Sequence, residues 1–197
     1  MCDNPWRMRL SVGVALLHAG LAHADAPRPP DIDTRWGVGL ALGGESFNPT
    51  AAGSITESLG YLELAGRFRP VYNTEIQLAI DLGGRDDAKL GALFIDVRYR
   101  FNPDDNWRWS LTGGLGVASV AASDATDAQK KARGALRFGA GFERRLGRFA
   151  ILAELRLTLI AENKDVPDVI QPAPAAAYFG RYGMSSYGFQ VGGSYSW

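Results

Sequence analysis

The feature that most limits the fold is a two-residue rhythm of apolar and polar side chains. It recurs in eight segments bounded by Gly, Pro, Asn or Asp: Arg35–Gly43, Ser58–Arg69, Val71–Leu82, Ala88–Phe101, Trp107–Ser119, Arg133–Leu146, Arg148–Ala161 and Ser185–Trp197. Period two puts successive side chains on opposite faces of a strand, whereas a helical face repeats every 3.6 residues. In the second segment Leu62, Leu64, Gly66 and Phe68 oppose Tyr61, Glu63, Ala65, Arg67 and Arg69; in the fourth, Leu93, Ile95, Val97, Tyr99 and Phe101 oppose Phe94, Asp96, Arg98 and Arg100. Eight such strands predict an all-β fold, an eight-stranded antiparallel up-and-down β-barrel over residues 35–197, because closure leaves no strand edge unpaired.

Alternation alone does not say which face is outside. A soluble ligand-binding barrel would turn the apolar face inward, and a transmembrane barrel would turn it toward lipid. Three features favour lipid. First, connections alternate in length: Pro70, Asn102–Asn106 and Gly147 against Gly44–Glu57, Gly83–Asp87, Val120–Ala132 and Glu162–Met184, which predicts a turn rim and a loop rim. Second, aromatic residues gather at the turn rim on the apolar face: Trp36, Phe68, Tyr72, Tyr99, Phe101, Trp107, Trp109, Phe142, Phe149, Tyr195 and Trp197. Rings with a polar edge settle at a lipid–water boundary. The other rim has mainly Leu42, Leu59, Leu82, Leu136 and Leu159.

Third, the charges of the polar face are Glu63, Arg67, Arg69, Glu75, Asp81, Asp96, Arg98, Arg100, Arg108, Arg137, Glu143, Arg145, Glu154 and Arg156, with Arg as the only base. Arg is favoured where planar, multidentate pairing occurs in confinement, and a solvated face would use Lys as well. Lys89, Lys130, Lys131 and Lys164 lie in loops or at strand ends. Small residues such as Gly114, Gly116, Gly139 and Gly141 interleave with the charges and leave room for long guanidinium side chains. An ion network filling a narrow interior is therefore expected, with a small-solute channel as the alternative.

The first 24 residues read as a secretory signal: Arg7 and Arg9, the apolar run Leu10–Leu17, then Ala22-His23-Ala24 before Asp25. Residues 25–34, rich in Pro, read as an extended periplasmic tail. Cleavage after Ala24 removes Cys2, His18 and His23, the chain's one Cys and two His. The mature chain then has no disulfide, thiolate nucleophile, imidazole base or Cys/His metal site, so no catalysis, cofactor or metal is expected. A formal net charge of zero without basic runs argues against nucleic acid. The glycines of Gly37–Gly43 and Gly113–Gly116 lack the following helix that a phosphate loop requires.

The signal, the eight two-faced strands and the terminal segment Tyr187–Trp197, with its final aromatic, resemble the small eight-stranded outer-membrane barrels of Gram-negative bacteria, of the outer membrane protein A barrel, X and W kind. The resemblance covers the mature chain. It implies outer-membrane lipid and lipopolysaccharide as surroundings and recognition of the last strand by the barrel assembly machinery. It also implies a structural or surface-interaction role. The longest loop, 162–184, with Tyr178, Phe179 and Tyr182, can seat a surface ligand, cap the barrel or lie at the outer interface. Loop acids Asp124, Asp127, Glu162, Asp165 and Asp168 match no calcium-loop spacing and are expected to be solvated.

Overall fold

The computed structural model describes residues 35–49, 56–85, 88–122, 125, 130–164 and 181–197. The signal segment 1–24, the tail 25–34, Asp124, Asp127, Asp165, Asp168, Tyr178 and Phe179 lie outside the described residues. Eight strands follow one another: β1 (Trp36–Pro49), β2 (Glu57–Val71), β3 (Thr74–Arg85), β4 (Ala88–Phe101), β5 (Trp107–Ala122), β6 (Arg133–Leu146), β7 (Phe149–Ile160) and β8 (Met184–Ser196). Each pairs antiparallel with its neighbours in sequence, and β1 pairs with β8 from Gly37↔Ser196 to Pro49↔Met184, closing the barrel. Among the described residues no helix is long and apolar enough to cross a membrane.

The alternation sets the register. Buried and exposed residues alternate along nearly every strand, as in β4, where Ala92, Phe94, Asp96, Arg98 and Arg100 point inward and Leu93, Ile95 and Val97 outward. A one-residue slip would send the whole charged set into the apolar face, so the pairing is strongly specified.

The turn rim is tight. Asn102 O accepts the Asp105 amide at 3.1 Å, with Pro103 between them supplying the fixed φ of a β-turn. Asn102 has φ 50°, a left-handed conformation Asn tolerates. Gly147, at φ 67°, opens the two-residue turn 147–148. Several connections differ from expectation. Pro70 lies within β2 and the turn falls at 72–73, because the ladder is offset between Phe68 and Val71, where Pro has no amide to donate. On the loop rim β3 runs through Gly83 and Gly84 to Arg85, leaving only residues 86–87 before β4, so that loop is as short as a turn. β1 likewise continues past Gly43 to Pro49, and β5 past Ser119 to Ala122.

Candidate functional site

Inward-facing side chains fill the lumen in two layers. Nearer the turn rim is a continuous ion-pair network. Glu75, from β3, faces four guanidinium groups: Arg100 at 2.6 Å, Arg98 at 3.5 Å, and Arg67 and Arg69 at 3.8 Å each. Glu143, on β6, takes Arg100 at 3.3 Å and Arg108 at 3.8 Å. Glu154 of β7 links this group to the next, accepting Arg98 Nη2 at 2.6 Å and Arg156 Nε at 3.0 Å. At mid-barrel Arg137 binds Asp96 through two nitrogens, donates to Asp81 at 2.8 Å and lies 3.6 Å from Glu63. Arg156 also pairs with Glu63 and approaches Asp81 at 3.8 Å.

These groups come together because their registers match. Glu63↔Asp81, Glu75↔Arg98 and Glu143↔Arg108 are direct cross-strand pairs on the inner face, while Arg137 and Arg156 reach across the lumen. Glycine makes room for them. A Cβ on Gly139 would lie 2.7 Å from the Glu154 carboxylate, and one on Gly114 would collide with Asp96. Of the fourteen charges expected inside, Arg145 stands apart: it is half-exposed at the turn rim, and its Nε donates to Gly147 O at 2.8 Å. The remaining thirteen each belong to an ion pair.

The layer beneath the loop rim is apolar. Phe47, Leu59, Leu90, Phe94, Val120, Ile160 and Met184, with several alanines, form one buried cluster contributed by seven strands. Leu59 therefore points inward and not toward the outer surface. Sequence reading also missed buried Glu45, which accepts Ser186 Oγ at 2.7 Å and Thr158 Oγ1 at 3.5 Å. Its inward parity with Gly39, Ala41 and Gly43 was the available signal. Buried Arg133, at the start of β6, donates to Ala161 O at 3.2 Å and Tyr182 O at 2.8 Å, tying down the base of the last long connection. Across that base Arg181 donates to Glu162 at 2.5 Å and to Asn163 O at 2.9 Å.

The outer face is apolar on every strand, with Leu42, Leu64, Leu78, Ile95, Leu115, Phe138, Leu155 and Val191 all exposed. Aromatic pairs rim its turn end. Trp36 meets Phe68 at 4.6 Å between centroids, Phe142 meets both Trp107 and Trp109 at 4.7 Å, Phe149 meets Tyr195 at 4.9 Å, and Tyr99 meets Phe101 at 5.0 Å. Tyr195 stacks on Trp197 at 6.2 Å. Tyr72 lies in the β2–β3 turn instead, where its hydroxyl donates to Asp104. Tyr187 and Phe189 face outward on the loop-side half of β8, so aromatic residues are not confined to one rim. The outward residues Trp107 to Val117 of β5 span roughly 33 Å of strand, or about 25 Å along a barrel axis tilted as such strands are.

A closed eight-stranded barrel with an apolar belt outside and an ionic lumen is the fold of the small outer-membrane barrels. The chain is similar to Neisserial surface protein A, with a TM-score of 0.65 at 10% identity over 82% of this chain and 97% of that one. It is also similar to Ail, the attachment invasion locus protein of Yersinia pestis, with a TM-score of 0.53 at 10% identity over 84% of this chain and 100% of that one. No protein-family model matches the chain, and no curated protein matches its sequence.

Proposed function

We propose that this chain is an integral outer-membrane barrel, exported by its signal segment 1–24, with the turn rim toward the periplasm and the longer connections at the cell surface. Its role is structural or surface-interacting, carried by those connections and not by catalysis. The observation that carries this reading is the inside-out distribution of polarity: Leu115 and Leu155 are each 64% exposed while Arg137, Asp96 and Glu154 are fully buried. A water-soluble barrel would face a prohibitive apolar surface of that extent. Outer-membrane lipid and lipopolysaccharide would cover the belt, and the barrel assembly machinery would engage the aromatic-studded β8. The name of the Yersinia protein, an attachment and invasion locus, points toward surface binding as well.

The apolar cluster under the loop rim supports a lumen closed to ions, and the last connection, 161–183, is the proposed seat of a surface ligand. Planar-bilayer recording of the purified barrel, paired with deletion of 165–180, tests both parts. A silent bilayer, with surface binding lost on deletion, is the expected outcome. Reproducible openings that change in Arg98→Ala or Arg137→Ala would replace this reading with a narrow diffusion channel.

A further inference from the structure

We propose that the turn-rim mouth of the lumen is a binding site for a phosphate-class oxyanion. A narrow, half-open cleft opens there between β2, β4–β8 and the 147–148 turn. Five arginines line it, Arg69, Arg100, Arg108, Arg145 and Arg148, against a single carboxylate, Glu143. On the opposite wall Ser194 and Ser196 add hydroxyl donors.

The charge in this end of the barrel does not balance. Glu75 is divided among Arg67, Arg69, Arg98 and Arg100, and Glu143 between Arg100 and Arg108. Asp104, in the neighbouring turn, accepts the Tyr72 hydroxyl. Donors are left over as a result. Arg100 is 2% exposed and spends Nη2 on both glutamates, while its Nε and Nη1 have no hydrogen-bond partner. Nε of Arg69 is buried without one as well, and so are Nε and Nη1 of Arg67 immediately above.

Buried guanidinium N–H groups without acceptors are costly, and an anion that supplies oxygens relieves that cost. Guanidinium groups converge here from β2, β4, β5 and β6. A tetrahedral oxyanion can bond several forks approaching from different directions, whereas a planar carboxylate satisfies one or two. In the proposed topology the cleft opens at the level of the inner-leaflet headgroups, so the oxyanion has two sources, a phospholipid phosphate or a free phosphate of the periplasm. This site rests on the proposed membrane topology only for the choice between those sources.

The test is calorimetric titration of the full chain, refolded in a phosphate-free maltoside detergent, with inorganic phosphate and separately with short-chain phosphatidylglycerol. Arg69→Gln/Arg145→Gln, Arg145→Gln alone and, as a control at the loop rim, Arg181→Gln are titrated beside it, each shown to be folded by heat-modifiable gel migration. Saturable binding is expected, weakened at least about tenfold in the double variant and unchanged in Arg181→Gln. If the double variant does not fold, a weakening of several-fold in Arg145→Gln carries the same meaning. Tighter binding of the lipid assigns the headgroup, and equal affinities assign free phosphate. Absence of saturable binding to either probe, or equal affinity in the folded variants and the parent chain, would overturn the site.

Discussion

Replacing Arg137 with Met removes the hub of the mid-barrel network while keeping most of its apolar stem. Arg137 is fully buried and donates three hydrogen bonds: Nε to Asp96 at 3.2 Å, Nη2 to the same carboxylate, and Nη1 to Asp81 at 2.8 Å. Hydrogen bonds to charged groups contribute about 1.5–3 kcal/mol each, but bonds that share one carboxylate do not add. Asp81 keeps Arg156 at 3.8 Å, while the contact of the guanidinium with Phe94, 4.1 Å from the ring centroid, is lost as well. What remains is Asp96, fully buried and left with a bare carboxylate. Breaking a buried pair in this way costs about 3–5 kcal/mol.

Equilibrium urea unfolding from lipid vesicles, followed by tryptophan emission, measures that loss. Adding Asp96→Asn to Arg137→Met removes the stranded charge and is expected to return about 1–2 kcal/mol. A loss below about 1 kcal/mol in Arg137→Met, with an unchanged m-value, would refute the reading of this network as continuous and buried.

Two adjacent glycines make a sharper steric test: Gly114→Ala, whose Cβ would strike Asp96, should fail to reach the heat-modifiable folded form, whereas Gly113→Ala, with nothing within 4 Å of its Cβ, should fold normally on the same gel. Phe142→Ala removes two ring contacts of 4.7 Å, with Trp107 and Trp109, and is expected to cost about 1–3 kcal/mol in the urea titration, with red-shifted tryptophan emission. Leu115→Arg, at the middle of the outer belt, should destabilise the barrel in lipid by about 2–4 kcal/mol. Near-zero cost for that change would mean the belt does not contact hydrocarbon.

The strand count, the two faces and the identity of the inner charges were legible because period two is a local property and closure follows from it. Strand ends were less so. Glu45 and Phe47 continue the parity of Gly43, but Gly44 and the polar residues Glu45, Ser46 and Asn48 resemble a loop in sequence, so β1 is expected to stop early. Pro70 reads as a turn until the offset in the β2–β3 ladder shows how a strand accommodates it. The apolar half of the lumen was hidden for a different reason. Phe47, Leu59 and Val120 are inward by parity, yet an apolar inner residue and an apolar outer residue look alike once the polar pattern fades near the loop rim. Pairings across the lumen, such as Arg98 with Glu154 or Arg137 with Asp81, depend on three-dimensional closure and leave no trace in sequence spacing.

The apolar outer belt is expected to sit in an outer membrane. Envelope fractionation of a Gram-negative host expressing the chain tests it most directly. The protein is expected in the outer-membrane fraction, retained through osmotic shock and an alkaline carbonate wash and released only by detergent. Its release by osmotic shock without detergent, as a folded and water-soluble protein, would contradict the account.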